Sequence, residues 1–241
     1  EALATRAGHP LELPRHEGAS LLEVEALARS GELVRAGQCL AGIRQRAPQL
    51  ADACLAASNL ILHQARLGPD SSPKDAQIWD CQRLEWITQC WHQAGLSSVI
   101  LKVPDQPLTI DNIRAAQSRP KKYEYLPERP GPYPVVTVIV PAFNSEATLA
   151  CALESLMKQT LRVKDAGAVE VIVVDDGSDD GTVEIARAFA DRYDGLKVLQ
   201  QTKNTGAYVA RNCGLAESRG MFITTHDADD WSHPEKLAFQ V

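Results

Sequence analysis

The sequence predicts an α/β domain built on a mostly parallel sheet with helices on both faces, preceded by an all-α region of helical hairpins. Three observations carry this expectation. From Val135 onwards, near-continuous Val and Ile runs alternate with helix-like segments, and such runs belong to strands covered on both faces. Between Leu21 and Leu67 the apolar residues recur mostly three and four positions apart, which is helical spacing. Between the two regions, Arg119-Pro120-Lys121-Lys122 and the span Pro127 to Pro134 form a charged, proline-rich stretch that propagates neither helix nor central strand. The expected organisation is a helical region over 1–118, a linker over 119–134 and the sheet domain over 135–241.

In the helical region, Leu21, Val24 and Leu27 mark a first helix, Leu33, Ala36, Leu40 and Ile43 a second, and Leu50, Cys54, Leu55, Ile61 and Leu62 a third. Gly31 separates the first from the second and Pro48 the second from the third. A fourth helix is expected over Lys74 to Ala94, with Gly95 placed to cap it. The span Gly31 to Pro48 is faintly similar to half of a tetratricopeptide-type repeat, with no second clean copy. The region is expected to bury its own apolar faces, and binding of a protein partner is the functional alternative. In the sheet domain the expected order is strand Val135 to Val140, helix Glu146 to Gln159, strand Val169 to Asp175, helix Thr182 to Tyr193, strand Leu196 to Gln200, helix Ala207 to Glu217 and strand Met221 to Thr225.

A chain of 241 residues with 44% hydrophobic content can bury a sizeable core. Its formal charge of -6 is unevenly placed: residues 1–134 hold 15 basic and 15 acidic side chains, leaving 10 of the 25 basic and 16 of the 31 acidic ones for residues 135–241. An acidic second half argues against nucleic-acid binding, which needs Lys and Arg to neutralise phosphates, and suits a site that recruits a cation first. The six cysteines form no Cys-x-x-Cys pair and are expected to be reduced core residues of a cytoplasmic protein. No run approaches the roughly 18 apolar residues of a membrane span, so a soluble chain is expected. It begins with Glu1 and stops at Val241 within what reads as a starting helix, so both ends are expected to be cuts from a longer protein.

Three polar strand ends carry the chemistry. The first strand ends in Pro141-Ala142-Phe143-Asn144, the second in Asp175-Asp176-Gly177-Ser178-Asp179-Asp180-Gly181-Thr182, and the last in His226-Asp227-Ala228-Asp229-Asp230. In an open α/β sheet these loops leave the edge at which ligands bind. An Asp-x-Asp pair there can present oxygen ligands to one hard divalent cation, which takes further ligands from water and substrate phosphates. A carboxylate such as Asp176 can accept a base imide N–H or a ribose hydroxyl, and Gly177 lets the backbone pass close to a ligand. The plainer reading makes both acidic stretches turn and capping chemistry, with Asp179, Asp180 and Thr182 serving one helix and Ser232 and Pro234 starting the next.

The ordered set V-T-V-I-V-P-A-F-N, V-E-V-I-V-V-D-D-G-S-D-D-G-T, N-T-G-A-Y-V-A-R-N-C-G-L-A and F-I-T-T-H-D-A-D-D-W resembles the nucleotide-binding half of a family 2 glycosyltransferase with the Rossmann-like GT-A fold, over about residues 135 to 241. The tail H-D-A-D-D-W-S-H-P-E-K is similar to bacterial transferases that build surface polysaccharides and carry an N-terminal helical region. The resemblance implies that Pro141, Phe143 and Asn144 border the nucleotide, that Asp176 binds the uracil, that Asp227 lies near the ribose and that Arg211 approaches the nucleotide. It implies Asp229 as the main ligand of Mn²⁺ or Mg²⁺, with Asp227 and Asp230 beside it, and Asn204 and Gly206 as shapers of the preceding loop. Trp231 and His233 are candidate donor-site walls, and Arg211 paired with Glu217 or another surface acid is the alternative for that side chain.

The implied activity is inverting, metal-dependent transfer of a sugar from a UDP-sugar donor to a glycan or lipid-linked acceptor, by a cytoplasmic protein that is possible as a peripheral one at the inner membrane face. In the family the catalytic base lies well downstream, so it is expected beyond residue 241, and this chain is expected to bind donor and transfer poorly. A nucleotidyltransferase would show a Gly-rich basic loop after the first strand, which Pro141 to Thr148 lacks. A noncatalytic scaffold is the reading from another class, and the presence of Asp176, Asp227 and Asp229 counts against it. No G-x-G-x-x-G follows the first strand, which argues against a dinucleotide site.

Overall fold

A computed structural model describes residues 17–67, 73–116 and 131–241. The chain forms two compact units, Glu1–Leu108 and Thr109–Val241. The expected linker up to residue 130 lies outside the described residues.

The first unit holds helices α1 (Glu17–Arg29), α2 (Leu33–Arg46), α3 (Ala51–Leu67) and α4 (Pro73–Gln93), then the short strand β1 (Val99–Leu101), which was not expected. The helical spacing of the sequence lands on one core, in which Val24, Ala28, Ala36, Leu40, Ile43, Ala53, Ala57 and Leu60 are buried together. Gly31 ends α1 and Gly95 ends α4, both at positive φ (84° and 74°), and each is followed by a residue whose N–H reaches back five residues, Glu32 to Leu27 and Leu96 to Trp91. The Arg44 guanidinium lies 4.3 Å from the Trp86 ring, covering its edge of the core.

The second unit contains β2 (Ile113–Ala115), β3 (Val136–Ala142), α5 (Leu149–Met157), α6 (Thr160–Lys164), β4 (Val169–Asp175), α7 (Thr182–Ala190), β5 (Leu196–Gln200), α8 (Ala207–Glu217), β6 (Phe222–Thr225) and α9 (Lys236–Gln240). Four strands make one parallel sheet in the order β5-β4-β3-β6. All seven residues of β3 and of β4 are buried, because helices cover both faces. One face presents Val136, Val138, Val140, Val171 and Val173 to Leu149, Leu153 and Leu156 of α5 and Ala186 and Phe189 of α7. The other presents Ile139, Ile172 and Val174 to Ala210 and Cys213 of α8. Gly214 makes the second packing possible, since a Cβ there would sit 2.5 Å from Ile139 Cγ2. The expected helix Glu146 to Gln159 is the shorter α5, and α6 follows beyond its expected end; the expected cysteine core is only partly formed, with Cys54 and Cys90 buried but Cys81 exposed.

The edge where the strands begin is tied by Glu170, only 2% exposed. Its carboxylate accepts from Thr137 Oγ1 (2.8 Å) and from the Arg219 backbone N–H (3.0 Å) and Nε (3.1 Å), with Lys197 Nζ at 2.9 Å. One side chain thus joins β3, β4, β5 and the turn into β6. Burial pushes this carboxyl's pKa up, but the bonds from Lys197, Thr137 and Arg219 outweigh it and hold it below its ordinary 4.5. A depressed carboxylate contributes stability above its unfolded pKa and loses it as pH falls through the folded one. Glu170→Gln is therefore expected to cost about 2 kcal/mol in urea unfolding at pH 7, with the gap to the unaltered protein closing below pH 4.5. A gap independent of pH would contradict this account.

Candidate functional site

The opposite edge, where β3, β4 and β6 end together, opens into a cavity of about 630 Å³. Pro141, Phe143 and Asn144 come from the end of β3, Asp176 from the end of β4, Asn204, Gly206 and Arg211 from the start of α8, and Asp227 and Asp229 from the loop after β6. Residues spread over 89 positions of sequence meet because four parallel strands bring their ends to one side. Every expected nucleotide residue lines this cavity. Asp230, Trp231 and His233 are not among its lining residues; His233 is fully buried, with its ring centroid 5.9 Å from that of Trp231.

The loops after β3 and β4 clasp one another. Asn144 holds a left-handed backbone (φ 48°), its N–H donates to Ser178 Oγ (2.9 Å) and its Oδ1 accepts from Asp179 N (3.1 Å). Asp180 accepts from Glu146 N and Thr182 N, and Glu146 returns the bond by accepting from Gly181 N at 2.8 Å. The turn chemistry expected of Asp180 is thus present, and it shapes the site instead of competing with it. Ser232 and Pro234 do not start a helix: α9 begins at Lys236, and buried Ser232 instead donates its N–H to Ser155 Oγ on α5.

Asp176 is buried and accepts from Thr205 N and Thr205 Oγ1 at 2.9 Å each and from Gly206 N at 2.7 Å. Burial raises its pKa, but these bonds outweigh that and lower it, so the carboxylate is ionised at neutral pH. Two bonds go to Oδ1 and one to Oδ2, so of the roughly four acceptor positions of a carboxylate one on Oδ2 remains. Asp176 therefore both fixes the loop before α8 and keeps capacity for a ligand N–H.

Arg211 reaches back along α8 and places Nη2 2.8 Å from Asp227 Oδ1. Its partner is the cavity acid Asp227, not Glu217. The three carboxylates after β6 feel one another: burial and the charges of Asp227 and Asp229 raise the pKa of Asp230, against the pull of Lys236. His226, just before them, is buried and driven by burial down to about 4, so its imidazole is neutral, and its Nε2 has no hydrogen-bond partner.

Residues 137–241 match the family described as Glycosyl transferase family 2. Over this segment the chain is similar to members of that family. Among curated relatives, glycosyltransferase AglE of Haloferax volcanii is 38% identical over 104 residues, 43% of this chain and 33% of AglE. The cholesterol galactosyltransferase of Borreliella burgdorferi is 40% identical over 95 residues, 39% of this chain and 25% of the relative. The solved structure of S. aureus TarS 1-349 in complex with UDP is 36% identical and covers 43% of this chain and 30% of that one, with a TM-score of 0.39. The chain thus spans a quarter to a third of the length of these three proteins.

In this segment, the acidic loop is held by side chains that pattern reading missed. Gln159, fully buried, donates Nε2 to His233 O (2.8 Å) and Ser155 O (3.3 Å), while its Oε1 accepts from Leu237 N (3.0 Å). Thr160 N donates to Pro234 O at 2.7 Å. The available signal was Gln159 and Ser155 standing as polar residues on an otherwise apolar helix face, which says nothing about a partner some 75 positions away. Among the described residues no group of three or more His, Cys, Asp or Glu is arranged to hold a metal ion. The cavity's Asp227 and Asp229 still fit a hard cation in donor type, since Mg²⁺-like ions commonly take one or two protein carboxylates and complete their shell from water and phosphate.

Proposed function

We propose that this chain carries the nucleotide-sugar site of an inverting, metal-dependent glycosyltransferase with a UDP-sugar donor. The observation that supports the reading is the meeting of Asp176, Arg211, Asp227 and Asp229 with Pro141 and Phe143 in one cavity at the sheet edge. Pro141 and Phe143 offer the base an apolar surface, and the free acceptor position of Asp176 Oδ2 takes an imide N–H. The exposed Asp227 suits a ribose hydroxyl or the cation, and Asp229 is the proposed main ligand of Mn²⁺ or Mg²⁺, with Asp230 adjacent. The uncapped N-terminus of α8 opens on the same cavity and adds positive potential for a diphosphate. Bound there, the metal would offset charge on the leaving diphosphate.

Inversion needs a base to take the acceptor's proton as its oxygen attacks the anomeric carbon. The cavity carboxylates are already assigned to base, ribose and metal, so that group is proposed to come from outside this chain, and the chain to bind donor with little or no transfer. The acceptor is proposed to be a glycan or a lipid-linked glycan, in a cytoplasmic setting that allows peripheral membrane contact. No helix of the described residues is long and apolar enough to cross a membrane. The helical unit is proposed as a site for a protein partner.

Calorimetric titration of UDP tests the reading. With Mn²⁺ present binding is expected, with EDTA it is expected to be lost, and Asp229→Ala is expected to behave with Mn²⁺ as the unaltered chain does with EDTA. Equal binding in all three conditions would remove the metal from the proposal, and no binding in any would remove the donor site.

A further inference from the structure

We infer that Arg211 is a resident counter-cation of the acidic loop, which holds Asp227 while the site is empty and moves to the donor's diphosphate when the metal takes its place; this rests on the donor-site reading above. The Arg211–Asp227 pair, 2.8 Å long, lies in the cavity itself, with the two side chains 29% and 53% exposed. Both are accessible to an incoming ligand. Arg211 stands one helical turn after Ala207, which also lines the cavity, and side chains on a helix lean towards its N-terminus. Its guanidinium is 5.7 Å from the ring of exposed Tyr208, so it has a second surface to rest on when the carboxylate is withdrawn.

Charge decides the exchange. Asp176 stays ionised among its neutral Thr205 and Gly206 donors, and Asp230 and Lys236 contribute one charge of each sign. This leaves Asp176, Asp227 and Asp229 against Arg211, a net charge of -2. A divalent ion arriving alone must compete with the guanidinium for Asp227 and sit beside a fixed positive charge. It neutralises the cluster and releases the guanidinium from Asp227, and the planar fork of Arg211 matches phosphate oxygens better than it matches a single carboxylate oxygen. Metal and diphosphate thus each improve the site for the other, and linkage requires the effect to be mutual.

The test measures two affinities with opposite expected signs on the whole chain: Mn²⁺ alone, by electron paramagnetic resonance of the free ion, and UDP in saturating Mn²⁺, by calorimetry. Arg211→Gln is expected to tighten Mn²⁺ alone by about threefold or more and to weaken UDP by about tenfold. Arg211→Lys, which keeps the charge and loses the fork, is expected to leave Mn²⁺ affinity near its original value and still weaken UDP. A merely structural role would move both affinities of Arg211→Gln in the same direction, and that result, or an unchanged Mn²⁺ affinity, overturns the inference while the donor site stands. Absence of UDP binding by the unaltered chain overturns both.

Discussion

Gly177→Ala is expected to weaken UDP binding by on the order of 100-fold and to destabilise the sheet domain by about 2–4 kcal/mol. Gly177 follows Asp176 with φ at +77°, a backbone region that costs any residue with a Cβ. The larger effect is steric. A Cβ at this position would stand 2.7 Å from Lys203 C, 2.8 Å from Lys203 Cα and 2.9 Å from Asn204 N. Those atoms are backbone and have no rotamer to escape into, so the 203–206 loop must move. That loop supplies the Thr205 and Gly206 donors of Asp176 and, with Asn204 and Gly206, part of the cavity wall. Thermal unfolding and UDP calorimetry on the same variant read both consequences; native affinity in a folded Gly177→Ala protein would show that the loop's position does not matter to the ligand.

Gln159→Leu is expected to cost about 3–5 kcal/mol of stability, since it keeps the volume but leaves buried backbone groups without partners, each worth about 1–3 kcal/mol. The His233 carbonyl and the Leu237 amide would both lose the Gln159 amide. The same bonds hold the segment that follows Asp227–Asp230 against the end of α5, so UDP affinity is expected to fall by roughly tenfold although Gln159 does not line the cavity. Urea unfolding measures the first effect. A loss below about 1 kcal/mol would mean the surrounding contacts hold the loop without this side chain.

The two large expectations concern residues of different legibility. Gly177 could be singled out in the sequence because a glycine straight after two acids at a strand end is a turn with a close approach, although what it approaches lies 26 positions later. Gln159 could not, because its importance is set by carbonyls and amides of a distant segment. The same division runs through the site. Asp176, Asp227 and Asp229 were readable as chemistry, and Arg211 as a cation facing either the nucleotide or Glu217 or another surface acid; only the folded chain paired it with Asp227, by turning one face of α8 towards the strand ends.

By itself the sequence determined the alternation of strands and helices, the helical hairpins before them and the polar strand ends that carry the family resemblance, because these depend on periodicity and on local turn chemistry. Tertiary structure alone decided the burial of Gln159 between α5 and α6, the burial of Glu170 among β3, β4, β5 and the turn into β6, the commitment of Asp176 to the 205–206 loop, and the pairing of Arg211 with Asp227. Each of these is a contact between segments far apart in the chain, where hydrogen-bond geometry and exclusion of water, rather than local pattern, select the partner.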